Sequence, residues 1–511
     1  MALKSLYVCA IIYAIFPHLA VSTATSEAGN DFITAIYYSS WSYPNQAPSD
    51  IPLSRITHIF YAFAGMNQHT KNIAFEKAGV ELHQGIPFET DALRNDINDL
   101  TSLCNSDDVD SIQYRDLPWV GSYLQNSAQF LLDSHINASG IVGQLGQIRQ
   151  LNPRLKVSLS IGGDGAFKEW KKMASKISYI EQFVGNVVAN IEKFNFDGVD
   201  IDWEFPSTKR ESIMLTNVVK YFRFYLEKKY PREHKILTVA IPMDVQSLTL
   251  FQFQKIDKYV DFYNLMGYDA SGKWSRVSGY HSPLYPDSEI PGSSLSVDTA
   301  VQFLSNYIKS SKIILGMPAY GVSFNTDKMY DKFTDCAKIR LSHTTNDVDE
   351  SSTDNYNDYT NDCIVDYVNL PPPGYVEVED LRIGSSYAYS TVKERKGIIV
   401  YDTPNIARVK ANYVVRNGLG GGMWWDSKGD PLTKNTSRSL VYNFIDELGG
   451  ILKLTSNITM FSELRPQFRG GIVSQPVTDQ DFQISHASPN FSVYNIGRII
   501  WLCLFYCTFF S

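Results

Sequence analysis

Cysteine is scarce in this chain, with six residues in 511. Cys9 lies in an N-terminal apolar run and Cys503 and Cys507 in a C-terminal one, which leaves Cys104, Cys336 and Cys363 for the body. No spacing among them suits a zinc site. Long basic runs are absent, and 46 Lys and Arg against 54 Asp and Glu give a net charge of −8. That excludes the electrostatic footprint of a nucleic-acid binder or of a protein held on an anionic membrane, and a neutral partner fits better. No apolar run reaches the roughly 20 residues that cross a bilayer as a helix. Leu6 to Phe16 is stopped by Pro17 and His18, and Ile499 to Phe510 ends one residue before the terminus. Internal repeats, nucleotide-binding motifs and metal motifs are also missing, so no cofactor is expected. The acidic stretch NDVDESSTDNYNDYTND lacks the central Gly and closing Glu of a calcium loop and reads as a solvated loop.

What is present begins at the ends. Lys4, the apolar run and the small residues Ala20 and Ser22 have the layout of a secretory signal peptide, so residues 1–22 are expected to be removed. Ser485, Ala487 and Ser488, a polar spacer and the final apolar run resemble a lipid-anchor (GPI) signal, although Arg498 and the short tail depart from it. Secretion, with membrane or wall association through the tail, is the expectation. In an oxidising compartment Cys336 and Cys363, which bracket a polar segment, are candidates for a disulfide. Sequons stand at Asn137, Asn435, Asn457 and Asn490. An aromatic content of 13 % suits sugar stacking, but a large core alone would also explain it.

Between the ends, short β-rich runs alternate with amphipathic stretches, the pattern of a parallel sheet or barrel. Eight strands are expected: 33–39, 56–64, 156–162, 196–204, 236–242, 260–266, 312–320 and 420–425. Helical spacing fills 140–151, 179–194, 212–229 and 297–310. The class is α/β, a TIM (β/α)8 barrel over residues 30–448. A small α+β insertion, 325–396, separates the seventh strand from the last βα unit. Residues 66–135 form a second, unassigned insertion, and 449–511 read as a tail without a core. A monomer is expected.

The densest chemistry lies in FDGVDIDWEFP, Phe196 to Pro206. Val199, Ile201 and Trp203 alternate with Asp200, Asp202 and Glu204, so on a strand the three carboxylates share one face. The aromatic neighbours argue for burial, where unpaired like charges push each other's pKa values up. Catalytic groups of a TIM barrel gather at the C-terminal strand ends, and Glu204 ends the fourth strand.

Read with its Asp197 and Gly198, the run Asp197-Gly-Val-Asp-Ile-Asp-Trp-Glu204 resembles the signature of family 18 glycoside hydrolases, the chitinases. Four further blocks match in order: THIFYAFAGMN on the second strand, Ser160-Ile161-Gly162-Gly163, Met266-Gly267-Tyr268-Asp269, and Gly420 to Trp425. The likeness covers roughly residues 33–446, and the secreted layout resembles that of a yeast sporulation-type member. It implies cleavage of chitin or chitin oligosaccharides, with the substrate's own acetamido oxygen as nucleophile and retention of configuration. By the same match Glu204 is the acid and then the base, Asp202 passes a proton between Asp200 and Glu204, and Tyr268 hydrogen-bonds the acetamido oxygen. Asp269 and Met266 would contact or shape the sugar site. Trp425 would floor it, Tyr37 and Phe63 would surround it, and Trp274 would stack on the leaving side. Ser160, Gly162, Gly163, Asp197 and Gly198 are read as structural.

Two positions depart from the pattern. Many members carry Trp after SxGG and Arg after the seventh-strand Tyr-Gly, where this chain has Asp164 and Val322. Both changes put binding of long polymers in question and neither touches the acid. A chitin-binding lectin on the same barrel is the rival reading, although such lectins lack the acid that Glu204 supplies here. An endo-acting glycosidase on N-glycans is a third, less compatible with the insertion.

Overall fold

The computed structural model describes residues 31–455, apart from 77–78, 88–89, 106–116, 133–136, 288, 290–294, 338–362, 393–395 and 433–436. The signal segment, the Asp/Asn run, three of the four sequons and the apolar C-terminus with its anchor signal lie outside these residues.

Eight parallel strands close into a barrel: β1 (Ile33–Ser39), β2 (His58–Asn67), β3 (Lys156–Gly162), β4 (Gly198–Asp202), β5 (Ile236–Pro242), β6 (Phe262–Met266), β7 (Ile313–Pro318) and, last in the chain, Gly421–Trp425. The last strand pairs with both β7 and β1, and β1 with β2, so no edge remains. All eight expected strands are present, shifted by one to three residues at some ends. Alternation divides each strand between two packing environments. Ile33, Ala35, Tyr37, Phe60, Ala62, Ile236, Phe262, Ile314 and Met423 fill the interior, whereas Ile36, Tyr38, Ile59, Tyr61, Val199 and Ile201 join the large cluster under the helices. On β4 this sends Val199 and Ile201, both fully buried, outward. Each stabilises the fold by about 1.5–3 kcal/mol, and Asp200 and Asp202 are thereby turned inward.

Helices Gly140–Leu151, Ile177–Phe194 and Lys209–Lys229 occupy the expected stretches. The one expected over 297–310 ends at Leu304, where the Ser305 hydroxyl bonds the Val301 carbonyl at 2.8 Å and competes with the helical ladder. The unassigned insertion after β2 contributes Asn72–Ala74, paired to the end of β2, and helices Thr90–Asn105 and Pro118–Leu132. Its Leu93, Ile97, Leu100 and Tyr123 pack into the main core.

The second insertion is a five-stranded antiparallel sheet made of β8 (Tyr320–Phe324), β9 (Ile364–Asp366), β10 (Tyr375–Asp380), β11 (Ser385–Ser390) and β12 (Ile398–Tyr401), in the order β9-β8-β12-β11-β10. The sheet is wider than 325–396 because β8 and β12 pair with each other. Tyr320, expected as the end of the seventh barrel strand, therefore starts this sheet. The final barrel strand is β13 (Gly421–Trp425). Cys336 and Cys363 are disulfide-bonded, and Cys104 is buried. The expected tail also begins later than 449. Phe32 bridges Leu454, its N–H donates to the Lys453 carbonyl at 2.6 Å, and Ile451 and Leu454 are buried, which ties residues 449–455 to the start of β1.

Candidate active site

The inward side chains of β4 meet a cavity of about 930 Å³ at the C-terminal ends of the strands. Its lining includes Tyr37, Trp41, Phe63, Asp164, Asp202, Glu204, Met266, Tyr268, Asp269, Tyr320 and Trp425. The three carboxyls of the acidic run occupy increasingly exposed environments along it.

Asp200 is deepest and fully buried. Its Oδ2 accepts from the Tyr37 hydroxyl and the Ser160 hydroxyl, each at 2.8 Å, and its Oδ1 accepts from Thr238 at 2.6 Å and the Asn264 amide at 3.2 Å. Burial pushes its pKa up, and these four donors pull it back. Asp202, 3 % exposed, differs sharply. No donor among the described residues reaches its Oδ1. Burial first, then repulsion from Glu204, Asp200 and Asp164, raises its pKa well above the carboxylate range. Glu204, at the cavity surface, is pushed up to about 7 by burial and by the charges of Asp164 and Asp269. The carboxyls titrate together, and at neutral pH the group retains protons that separate carboxylates would have lost.

Local structure fixes this gradient. The Asp202 carbonyl accepts from the Gly163 N–H and from Trp170 Nε1, both at 3.0 Å. Trp170 stacks on the outward Trp203 with ring centroids 5.5 Å apart and planes 5° from parallel. The chain is thus pinned on both sides of the step that delivers Glu204. Gly162 and Gly163 make the approach feasible. Their φ values are +117° and +82°, and an added Cβ would lie 1.9 Å from the Asp202 carbonyl oxygen in one case and 2.4 Å from the Phe63 ring in the other.

Most expected contributors converge. Phe63 stacks on Trp425 at 5.4 Å, and Tyr37 lies 5.4 Å from the same indole, forming an aromatic wall. The Tyr268 phenol is held protonated by burial and by Asp202, Asp269, Glu204 and Asp200, so it is a hydrogen-bond donor. Met266 lines the cavity and Asp269 accepts from the Tyr320 hydroxyl at 2.6 Å. Asp197 stands at the opposite end of β4, paired through both oxygens with Arg149 at 2.6 Å. Gly198 is buried between Ser158 of β3 and Ile236 of β5.

Trp274, on the loop after β6, is 63 % exposed and lies outside the residues that line the cavity. Ser160 is more than a small spacer, since its hydroxyl holds Asp200. Sequence reasoning also missed Thr238, Asn264, Tyr320 and Trp41. The first two were detectable as single polar residues at inward positions of the otherwise apolar runs ILTVAIP and FYNLM.

Residues 33–430 match the profile described as glycosyl hydrolases family 18. Sporulation-specific chitinase 2 of Saccharomyces cerevisiae is 29 % identical over 457 residues, covering 85 % of this chain and 81 % of its own. Endochitinase 1 of Metarhizium robertsii is 26 % identical over 445 residues, covering 85 % and 89 %. Among solved structures, a class V chitinase mutant of Nicotiana tobaccum in complex with NAG4 superposes with a TM-score of 0.59 at 18 % identity, over 82 % of this chain and 99 % of that one. A chitinase from Bacillus thuringiensis gives 0.63 at 20 % identity, over 82 % and 70 %. At such identities these superpositions establish the shared barrel fold.

Proposed function

The chain belongs to glycosyl hydrolase family 18 and is a glycoside hydrolase; from that premise we propose a secreted chitinase that cleaves β-1,4 bonds between N-acetylglucosamine units by a retaining, substrate-assisted reaction. The observation that carries this reading is the graded set Asp200, Asp202 and Glu204. One carboxyl is held by four donors, one is buried with an oxygen that no donor among the described residues reaches, and one is at the cavity with its pKa near 7.

Glu204, protonated near neutral pH, gives its proton to the glycosidic oxygen as the bond to the anomeric carbon breaks. The acetamido oxygen of the same sugar attacks that carbon from the other side and closes an oxazolinium ring. Asp202 takes the amide N–H on its vacant oxygen, and the Tyr268 hydroxyl donates to the acetamido oxygen. Water then opens the ring, losing a proton to Glu204, and the configuration is retained. Asp200, already satisfied, supports Asp202 through charge. The aromatic wall of Tyr37, Phe63 and Trp425 supplies apolar surface for the sugar face.

The likeness to a sporulation-specific enzyme and to fungal endochitinases supports a role in fungal wall or spore-wall remodelling. The N-terminal layout supports secretion and the C-terminal one a lipid anchor. N-terminal sequencing of recovered protein, and release by a phosphatidylinositol-specific phospholipase, test those two points.

For the chemistry, Glu204→Gln is expected to lower kcat on chitin oligosaccharides by about 10²–10⁴-fold in a folded protein. Retained turnover overturns the assignment. The first-formed product should be the β-anomer, and a predominantly α product rejects retention.

A further inference from the structure

Lys410 is a fully buried cation on the helix Pro404–Asn417, and it lies outside the residues that line the cavity. Its ammonium donates to the carboxylate of Asp402, the residue after β12, to the Ser282 carbonyl at 2.9 Å and to the Ser282 hydroxyl at 2.5 Å. An ammonium has three donors and no acceptor, so the group is fully used and the Ser282 hydroxyl accepts from it. That leaves the hydroxyl proton for the Gly267 carbonyl, 2.8 Å away. The residue before Ser282 adds a second tie, because the His281 carbonyl accepts from the Ala270 N–H at 2.9 Å. The two bonds flank Tyr268 and Asp269, which follow the end of β6 on a loop.

Asp269 stands at φ +60°, in the left-handed region that few residues with a side chain occupy and that persists where surrounding contacts hold it. Tyr268 is therefore presented by a turn that the strand alone does not impose. The ion pair is costly in its own right. Burial pushes the Lys410 ammonium down and the Asp402 carboxyl up, and the attraction and hydrogen bond between them oppose both shifts. Apolar side chains of similar volume would fill the same space without that desolvation, so stability alone does not account for the pair. What an apolar side chain at 410 would not do is orient the Ser282 hydroxyl.

We propose that Lys410 is a positioning residue for the reaction: through Ser282 and the Gly267 carbonyl it fixes the backbone that aims the Tyr268 phenol at the acetamido oxygen as the ring closes. Resting on the chitinase reading above, this role extends the machinery to a helix outside the cavity lining.

The test is a double-mutant cycle in the full chain, with kcat and KM measured on a fully acetylated chitin oligosaccharide. Lys410→Met alone would strand the buried Asp402 carboxyl, so the pair is replaced as a unit by Lys410→Met with Asp402→Leu. Ser282→Ala keeps the pair and removes the link. Each change is made in the wild type and in Tyr268→Phe. Thermal scans show whether each variant folds cooperatively, and Ser282→Ala decides alone if the replaced pair does not. In the wild-type background kcat is expected to fall about tenfold or more with KM little changed, as for an interaction made in the transition state. In Tyr268→Phe the same changes should alter kcat by less than about twofold, because the hydroxyl they position is gone. A purely structural role lowers kcat by the same factor in both backgrounds, and that outcome overturns the proposal. So does a wild-type kcat in Ser282→Ala or in Tyr268→Phe. If the wild-type chain itself fails on the oligosaccharide, the chitinase reading falls, and this role with it.

Discussion

Glu204 shows how one residue's reactivity and its stability are opposed. A carboxyl ordinarily titrates near 4.5, and this one is raised to about 7 by burial and by Asp164 and Asp269. At low pH both the folded and the unfolded chain carry the proton. Between 4.5 and 7 the unfolded chain releases it while the folded chain keeps it, so folding stability declines as pH rises through that window. Glutamine never ionises and escapes the penalty. Glu204→Gln is therefore expected to be more stable than the wild type above neutrality, by on the order of 2 kcal/mol or a few degrees in Tm. At about pH 4 the two should be indistinguishable. Thermal scans of both proteins at the two pH values check this, and equal Tm values at alkaline pH would mean the carboxyl is not held protonated. In the wild type the same pKa places the basic limb of kcat/KM near 7, falling as pH rises and the acid is lost.

On strand β4 the two ends have different duties. At the N-terminal end the Asp197 carboxylate pairs with Arg149 through both oxygens and also accepts from the Val157 N–H at 2.9 Å. Nothing there reaches the cavity. Asp197→Asn keeps the shape but breaks a largely buried bidentate pair, so it should lower stability by about 1–3 kcal/mol and leave kcat unchanged. Denaturant unfolding and steady-state kinetics on one preparation check both halves, and a large loss of kcat would contradict the division. The strand also shows what was legible in the sequence. Alternation along Val199 to Glu204 fixed which side chains share a face, and it is a property of one strand read alone. The donors to Asp200 come from β1, β3, β5 and β6, so their convergence depends on barrel closure and register, which local periodicity does not encode.

Across the molecule, the insertion sheet ties part of the cavity wall to a covalent constraint. Tyr320, on β8, lines the cavity and holds Asp269, and Ile364, on β9, lines it too. β8 pairs with β9, which starts at the residue after Cys363, and the Cys336–Cys363 bond spans 27 residues of sequence. The barrel strand carrying Glu204 lies elsewhere, braced by β3 and β5. Removing the bond with Cys336→Ser and Cys363→Ser frees the unfolded chain and should cost about 2–4 kcal/mol. The sheet supplies the cavity wall rather than the acid. The kinetic signature should therefore be a rise in KM for oligosaccharides with kcat little changed, as expected when binding is weakened equally in the ground and transition states. Unfolding curves with and without reductant, alongside kinetics of the double variant, separate the two effects. A fall in kcat with KM preserved would instead mean that the sheet positions the acidic relay itself.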